Sequence, residues 1–145
     1  MVTTMEKEMS MEQKDAIIEN KVRDYFEAFG NKDEQSLVKL FDSDIHLTDS
    51  HVDCRGIVEV LQANETIFNN CLRITPIIDD IIIDGNNVCA VIDIEIITEG
   101  TDPTNDYAEN HVTLKVVDLI QFNDEGLIKR ISAYKQLEKL WTKES

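Results

Sequence analysis

Apolar and polar positions alternate with two different periods along this chain, helical in the first half and extended in the second. Ile17, Ile18, Val22, Tyr25, Phe26 and Phe29 recur at helical spacing and predict an amphipathic helix that buries this stripe. Ser10-Met11-Glu12-Gln13 has the capping-box pattern at its start, and Gly30-Asn31 supplies the stop. Asp33 caps a second, shorter helix carrying Leu37, Val38, Leu40 and Phe41. A third helix is expected from Ile57 to about Asn69, with Ile57, Val60, Leu61 and Phe68 facing inward.

From Leu72 onward the period is two. Leu72 to Ile83 reads as a long extended run whose Pro76 suits an edge, a bulge or a bend. Asp84-Gly85-Asn86-Asn87 and Asn123-Asp124-Glu125-Gly126 are hairpin signals. Between them, Val88, Ala90, Ile92, Ile94 and Ile96 form one face of a strand. Val112, Leu114, Val116, Asp118, Ile120 and Phe122 form one face of the next. A last strand runs from about Leu127 to Tyr134, and Leu137 to Trp141 is expected to form a helical turn. Ser50 to Gly56 reads as a polar turn and Glu99 to Asp106 as a loop. The order ααβα followed by a meander of strands indicates an α+β fold, with helices packed on an antiparallel sheet. Residues 1–14 are expected to be a flexible N-terminus and residues 15–142 a single domain.

Two acids break the apolar pattern. In the strand Asp44-Ile45-His46-Leu47-Thr48-Asp49, Asp49 shares a face with Ile45 and Leu47, opposite His46 and Thr48. Asp118 repeats the anomaly within its own aliphatic row. Burying a carboxylate without a partner is expensive, so such a group shifts its proton affinity or has a task. Two acids facing one apolar space do not both ionise cheaply, and proton-transfer sites use one neutral and one charged acid. Structural alternatives stand beside this: Asp49 as the cap of the turn after its strand, Asp118 at a bulge or strand end.

Composition narrows the functional classes. With 145 residues the chain can bury roughly 70% of its unfolded surface, enough for a core with a cavity. The 29 acidic and 14 basic residues give a net charge of −15, a field that repels phosphate backbones and anionic membranes. Nucleic-acid and membrane partners are therefore not expected. Cys54, Cys71 and Cys89 form no Cys-x-x-Cys pair, and no apolar run is long enough for a signal peptide or a span, so a reducing cytoplasm is expected. The run Asp42, Asp44, His46, Asp49, His51, Asp53 lacks the spacing of a calcium loop, and no metal is expected there. Asn64-Glu65-Thr66 matches a glycosylation sequon and is read as coincidence.

Val22-Arg23-Asp24-Tyr25-Phe26-Glu27-Ala28-Phe29, then Asn31-Lys32-Asp33 and Leu37 to Asp44, resembles the opening of the nuclear transport factor 2-like superfamily. That superfamily includes ketosteroid isomerases and SnoaL-like polyketide cyclases. Val117 to Ile128 is similar to its closing hairpin. The resemblance implies a cone: a strongly curved antiparallel sheet wrapped around three N-terminal helices and a pocket. Set against ketosteroid isomerase, it aligns Tyr25 with the tyrosine that hydrogen-bonds the substrate oxygen and Asp49 with the general base. Asp118 aligns with the acid kept neutral in the oxyanion hole. The implied activity is isomerase-like proton transfer next to a carbonyl on a hydrophobic small molecule, with no cofactor. The alternative is a non-catalytic binding or dimerisation domain.

Phe26, Phe29, Leu47, Leu61, Val116 and Ile120 are the expected substrate-binding residues, and the outward pair Val117 and Leu119 points to a homodimer. The chain departs from the family pattern in four places. Asp49 is followed by Ser50 rather than the isomerase's proline, the loop to Gly56 is shorter, the last strand ends Tyr134-Lys135-Gln136 rather than the Tyr-x-Asp of cyclase-like members, and the loop at Thr101 to Asp106 is longer.

Overall fold

A computed structural model of the chain describes residues 10–100 and 109–136. The capping box forms as expected: the Ser10 hydroxyl accepts from the Gln13 N–H at 3.1 Å, and Gln13 Oε1 accepts from the Ser10 N–H at 2.9 Å. It opens α1 (Met11–Gly30), which begins inside the stretch expected to be flexible; residues 1–9 lie outside the described residues. α1 buries Ile18, Val22, Tyr25, Phe26, Ala28 and Phe29, whereas Ile17 is 43% exposed. One residue is a 100° rotation on a helix, and that turns Ile17 off the buried line. Gly30 lets the end of α1 meet Pro76, since a Cβ there would lie 2.9 Å from the proline Cδ.

Asp33 caps α2 (Glu34–Leu40) through both carboxylate oxygens, to the Ser36 N–H at 3.2 Å and the Ser36 hydroxyl at 2.6 Å. The chain then enters β1 (Phe41–Asp49) directly, so Phe41 is a strand residue rather than a helical one. The expected polar turn instead holds β2 (Val52–Arg55), which folds back on β1 with Leu47 opposite Cys54 and Asp49 opposite Val52. α3 (Ile57–Asn69) follows and buries Val60, Asn64 and Phe68.

The remaining strands are β3 (Arg73–Asp84), β4 (Asn87–Glu99), β5 (Glu109–Phe122) and β6 (Ile128–Lys135). The sheet order is β2-β1-β6-β5-β4-β3. β3 lies at the edge, with a register shift between Ile78 and Asp80, which suits its proline. Gly85, at φ +61°, makes the tight β3–β4 hairpin possible.

The sheet is mixed, not antiparallel as expected. β6 runs parallel to β1, with Phe41 beside Ile128 and Leu47 beside Ile131. Hairpin signals fix the direction of strands that are neighbours in sequence. β1 and β6 come from opposite ends of the fold, so no turn dictates their relative direction. The core lies between the helices and the inner sheet face, where Leu37, Ile45, Ile92, Ile120, Phe122 and Ile131 are almost wholly buried. Each such side chain contributes about 1.5–3 kcal/mol relative to exposure. No helix among the described residues is long and apolar enough to cross a membrane. The expected loop at 101–106 and the helical turn at Leu137 to Trp141 lie outside the described residues.

Candidate functional site

Strand alternation brings the anomalous acids together. On β5, the row Leu114, Val116, Asp118 faces inward; on β1 the row is Ile45, Leu47, Asp49. Asp118 is flanked by Ala90 of β4 and Ala133 of β6, and it lines the cavity together with Ala133. Thr48 pairs with Ser132, and the same parallel register carries Asp49 to the far side of Ala133. α1 closes the space from above with Tyr25, Phe26 and Phe29, and α3 adds Asn64 and Ile67. The result is a cavity of about 560 Å³, mostly apolar, within the range of small-molecule pockets.

Tyr25, Asp49 and Asp118 therefore all line one cavity, as do Phe26, Phe29, Leu47 and Val116. Leu61 and Ile120 do not. Leu61 is half-buried on another side of α3, and Ile120 is fully buried one inward position beyond Asp118, in the closed core.

The electrostatics separate the two acids. Asp118 is 6% exposed, and among the described residues its buried Oδ1 has no hydrogen-bond partner. Burial first, and the nearby Asp49 second, push its proton affinity up to about 7. Below that pH Asp118 is a neutral donor. Tyr25 is 5% exposed and packs edge-on against Phe26, with ring centroids 4.9 Å apart. Burial, then the neighbouring Asp118, hold its phenol proton well above the ordinary range, so Tyr25 too remains a donor. Two proton-bearing oxygens thus line one largely apolar cavity.

Asp49 differs from the unpaired carboxylate that the strand pattern implied. It stands at the cavity mouth with a side chain 19% exposed, and Lys135 Nζ lies 3.3 Å from its Oδ2. Its Oδ1 accepts from both the N–H and the hydroxyl of Ser50. Each oxygen thus has a partner.

Polar residues beyond the expected set also line the cavity, among them Asn64, Lys135, His51, Thr66 and Asn70. Lys135 continues the inward row Ile131, Ala133, so extending the alternation of the last strand by one step finds it. Asn64 lies four residues from both Val60 and Phe68, on the buried stripe of α3. At 4% exposure Asn64 is also shielded from glycosylation.

The acidic run before and after Asp49 is dispersed among local partners. Asp42 accepts from the Asp44 N–H at 2.8 Å and from Asn123 Nδ2 at 2.7 Å, and His46 Nε2 lies 2.6 Å from Asp53. His46 is mostly covered, with 16% side-chain exposure. Among the described residues no group of three or more His, Cys, Asp or Glu side chains is placed to hold a metal ion.

Comparison with known proteins agrees with this architecture. No curated protein matches the chain. A structure from Jannaschia sp. CCS1, described by its likeness to SnoaL polyketide cyclases, is similar with a TM-score of 0.72 and 16% identity, covering 88% of this chain and 90% of that one. TsrD from Streptomyces laurentii is similar with a TM-score of 0.71 and 16% identity, covering 92% and 95% of the two chains. A protein with a ketosteroid isomerase-like fold from Catenulispora acidiphila DSM 44928, solved in complex with trimethylamine, has a TM-score of 0.69 and 13% identity, covering 81% and 86%. At these identities the likeness shows the fold alone. The SnoaL-like domain family matches residues 22–131, most of the chain. The chain belongs to the SnoaL-like domain family, within the nuclear transport factor 2-like, ketosteroid isomerase-like superfamily.

Proposed function

We propose that the cavity binds a hydrophobic small molecule by a carbonyl oxygen and transfers a proton next to that carbonyl, in the manner of a ketosteroid isomerase. The observation that carries this reading is the carboxyl oxygen of Asp118, without a partner among the described residues, beside Tyr25 in a mostly apolar cavity. A buried polar atom left unpaired costs about 1–3 kcal/mol, which a ligand oxygen sharing the Asp118 proton would relieve. In this reading Asp49 takes a proton from the carbon next to the carbonyl and returns it to another carbon of the same ligand. Tyr25 and neutral Asp118 donate to the oxygen that gains charge, and no cofactor takes part. The same reading has a sheet that curls around the pocket as a cone, one functional unit over residues 15–142, and cytoplasmic residence. It also has a homodimer formed through the outer sheet face, where Leu119 is 42% and Tyr134 58% exposed.

Binding without turnover is the second reading. It is favoured by the partners of Asp49, since Lys135 and Ser50 hold the carboxylate at the cavity mouth and occupy a lone pair on each of its oxygens. Turnover of a β,γ-unsaturated ketone, followed by the absorbance of the conjugated product, separates the two. The enzyme reading expects conversion by the wild type, its loss in Asp49→Asn, and a decline as pH rises through about 7, where Asp118 loses its proton. A wild type that binds the ketone without converting it sinks the isomerase reading and leaves the binding one.

A further inference from the structure

The polar end formed by Tyr25 and Asp118 is not the cavity's whole recognition surface. Asn64 projects from α3, a different element from those that carry Tyr25 and Asp118, and lines the same space. It is 4% exposed, with Val60 and Phe68 one turn away on the same buried stripe. Among the described residues its side-chain amide makes no hydrogen bond to another residue, although it holds two donors and an acceptor. An apolar residue at this position would bury more favourably in a cavity lined by Ile67, Ile92 and Ile94. An amide that faces the cavity and, among the described residues, bonds to no neighbour is suited to a group that arrives with the ligand.

We propose that Asn64 is a specificity-determining residue that hydrogen-bonds a second polar group on the ligand, apart from the carbonyl addressed by Tyr25 and Asp118. This extends the carbonyl-binding reading above and defines the ligand class more narrowly: a hydrophobic ring system with a carbonyl and a separate hydroxyl or carbonyl oxygen. A site with a polar group waiting for its partner discriminates strongly, because a ligand lacking that partner buries the amide unpaired. A molecule with a single polar end satisfies Tyr25 and Asp118 and strands Asn64.

The test uses the full chain and three probes in calorimetric titrations: trans-decalone, the same fused ring with a hydroxyl on the ring distal to the ketone, and the hydroxylated ring without the ketone. The wild type is expected to bind the hydroxy-ketone about tenfold more tightly than decalone, the worth of one good hydrogen bond. Asn64→Leu should bind the two ketones equally, and Asn64→Ala, which adds no bulk, should do the same. Asp118→Leu should weaken both ketones and keep their ratio. Equal affinity of the wild type for the two ketones, or a ratio that persists in both Asn64 variants, overturns this proposal. An Asn64-dependent preference for the hydroxyl without turnover of any ketone supports it and refutes only proton transfer. Failure of the wild type to bind all three probes overturns this proposal together with the carbonyl-binding reading.

Discussion

Replacing Asp118 by asparagine removes a titration that the fold imposes and keeps nearly the same shape. In the folded protein Asp118 holds its proton up to a pH of about 7, against an ordinary carboxyl value of 3.8, chiefly because it is buried. Between those values the folded state binds a proton that the unfolded state has released, so stability falls as pH rises through this window. Below the lower value both states are protonated and the penalty vanishes; above the upper one it is constant and complete. Each unit corresponds to about 1.4 kcal/mol, so the wild type should lose about 3 kcal/mol from this group between about pH 5 and pH 8. Asp118→Asn has nothing to titrate there. Urea denaturation of both proteins at the two pH values should therefore show the variant gaining about 3 kcal/mol on the wild type at the higher pH. Stability differences that stay parallel across pH would refute the claim that burial keeps Asp118 neutral up to a pH of about 7.

Asp49→Asn removes the neighbouring negative charge that is the second cause of the raised Asp118 affinity, so the Asp118 midpoint should fall while remaining above the ordinary value. Carbon-detected NMR of the side-chain carboxyl groups reads this directly, and an unmoved midpoint would mean that the two acids do not share the cavity. Gly126→Ala should destabilise the fold by about 1–2 kcal/mol, because Gly126 adopts a φ of +82° that an L side chain resists. The new methyl would also displace the Lys21 ammonium from its 2.7 Å hydrogen bond to the Gly126 carbonyl oxygen. A thermal midpoint equal to that of the wild type would contradict both effects.

Periodicity and turn chemistry alone determined much of this protein. The Ser10 capping box, the Asp33 cap, the third helix and the hairpins at Gly85 and Gly126 follow from interactions between residues a few positions apart. So do the inward rows that carry Asp49 and Asp118, because the parity of a strand is a local property. The superfamily resemblance then brought Tyr25 to the same site, which helical spacing alone could not do.

Tertiary structure decided the rest. Which strands lie side by side depends on packing across the whole sheet, and it made β1 and β6 parallel neighbours and placed Lys135 against Asp49, 86 positions away in the chain (135 − 49). That contact changes Asp49 from a lone carboxylate in an apolar row to a paired one at a cavity mouth. Burial is likewise a sum over neighbours from several elements. It left Ile120 in the closed core and Leu61 away from the cavity, and it turned Asn64 from one letter of a sequon into a polar group inside a ligand-sized space. The sequence specified which side chains face inward; only the assembled fold specified what each one meets there.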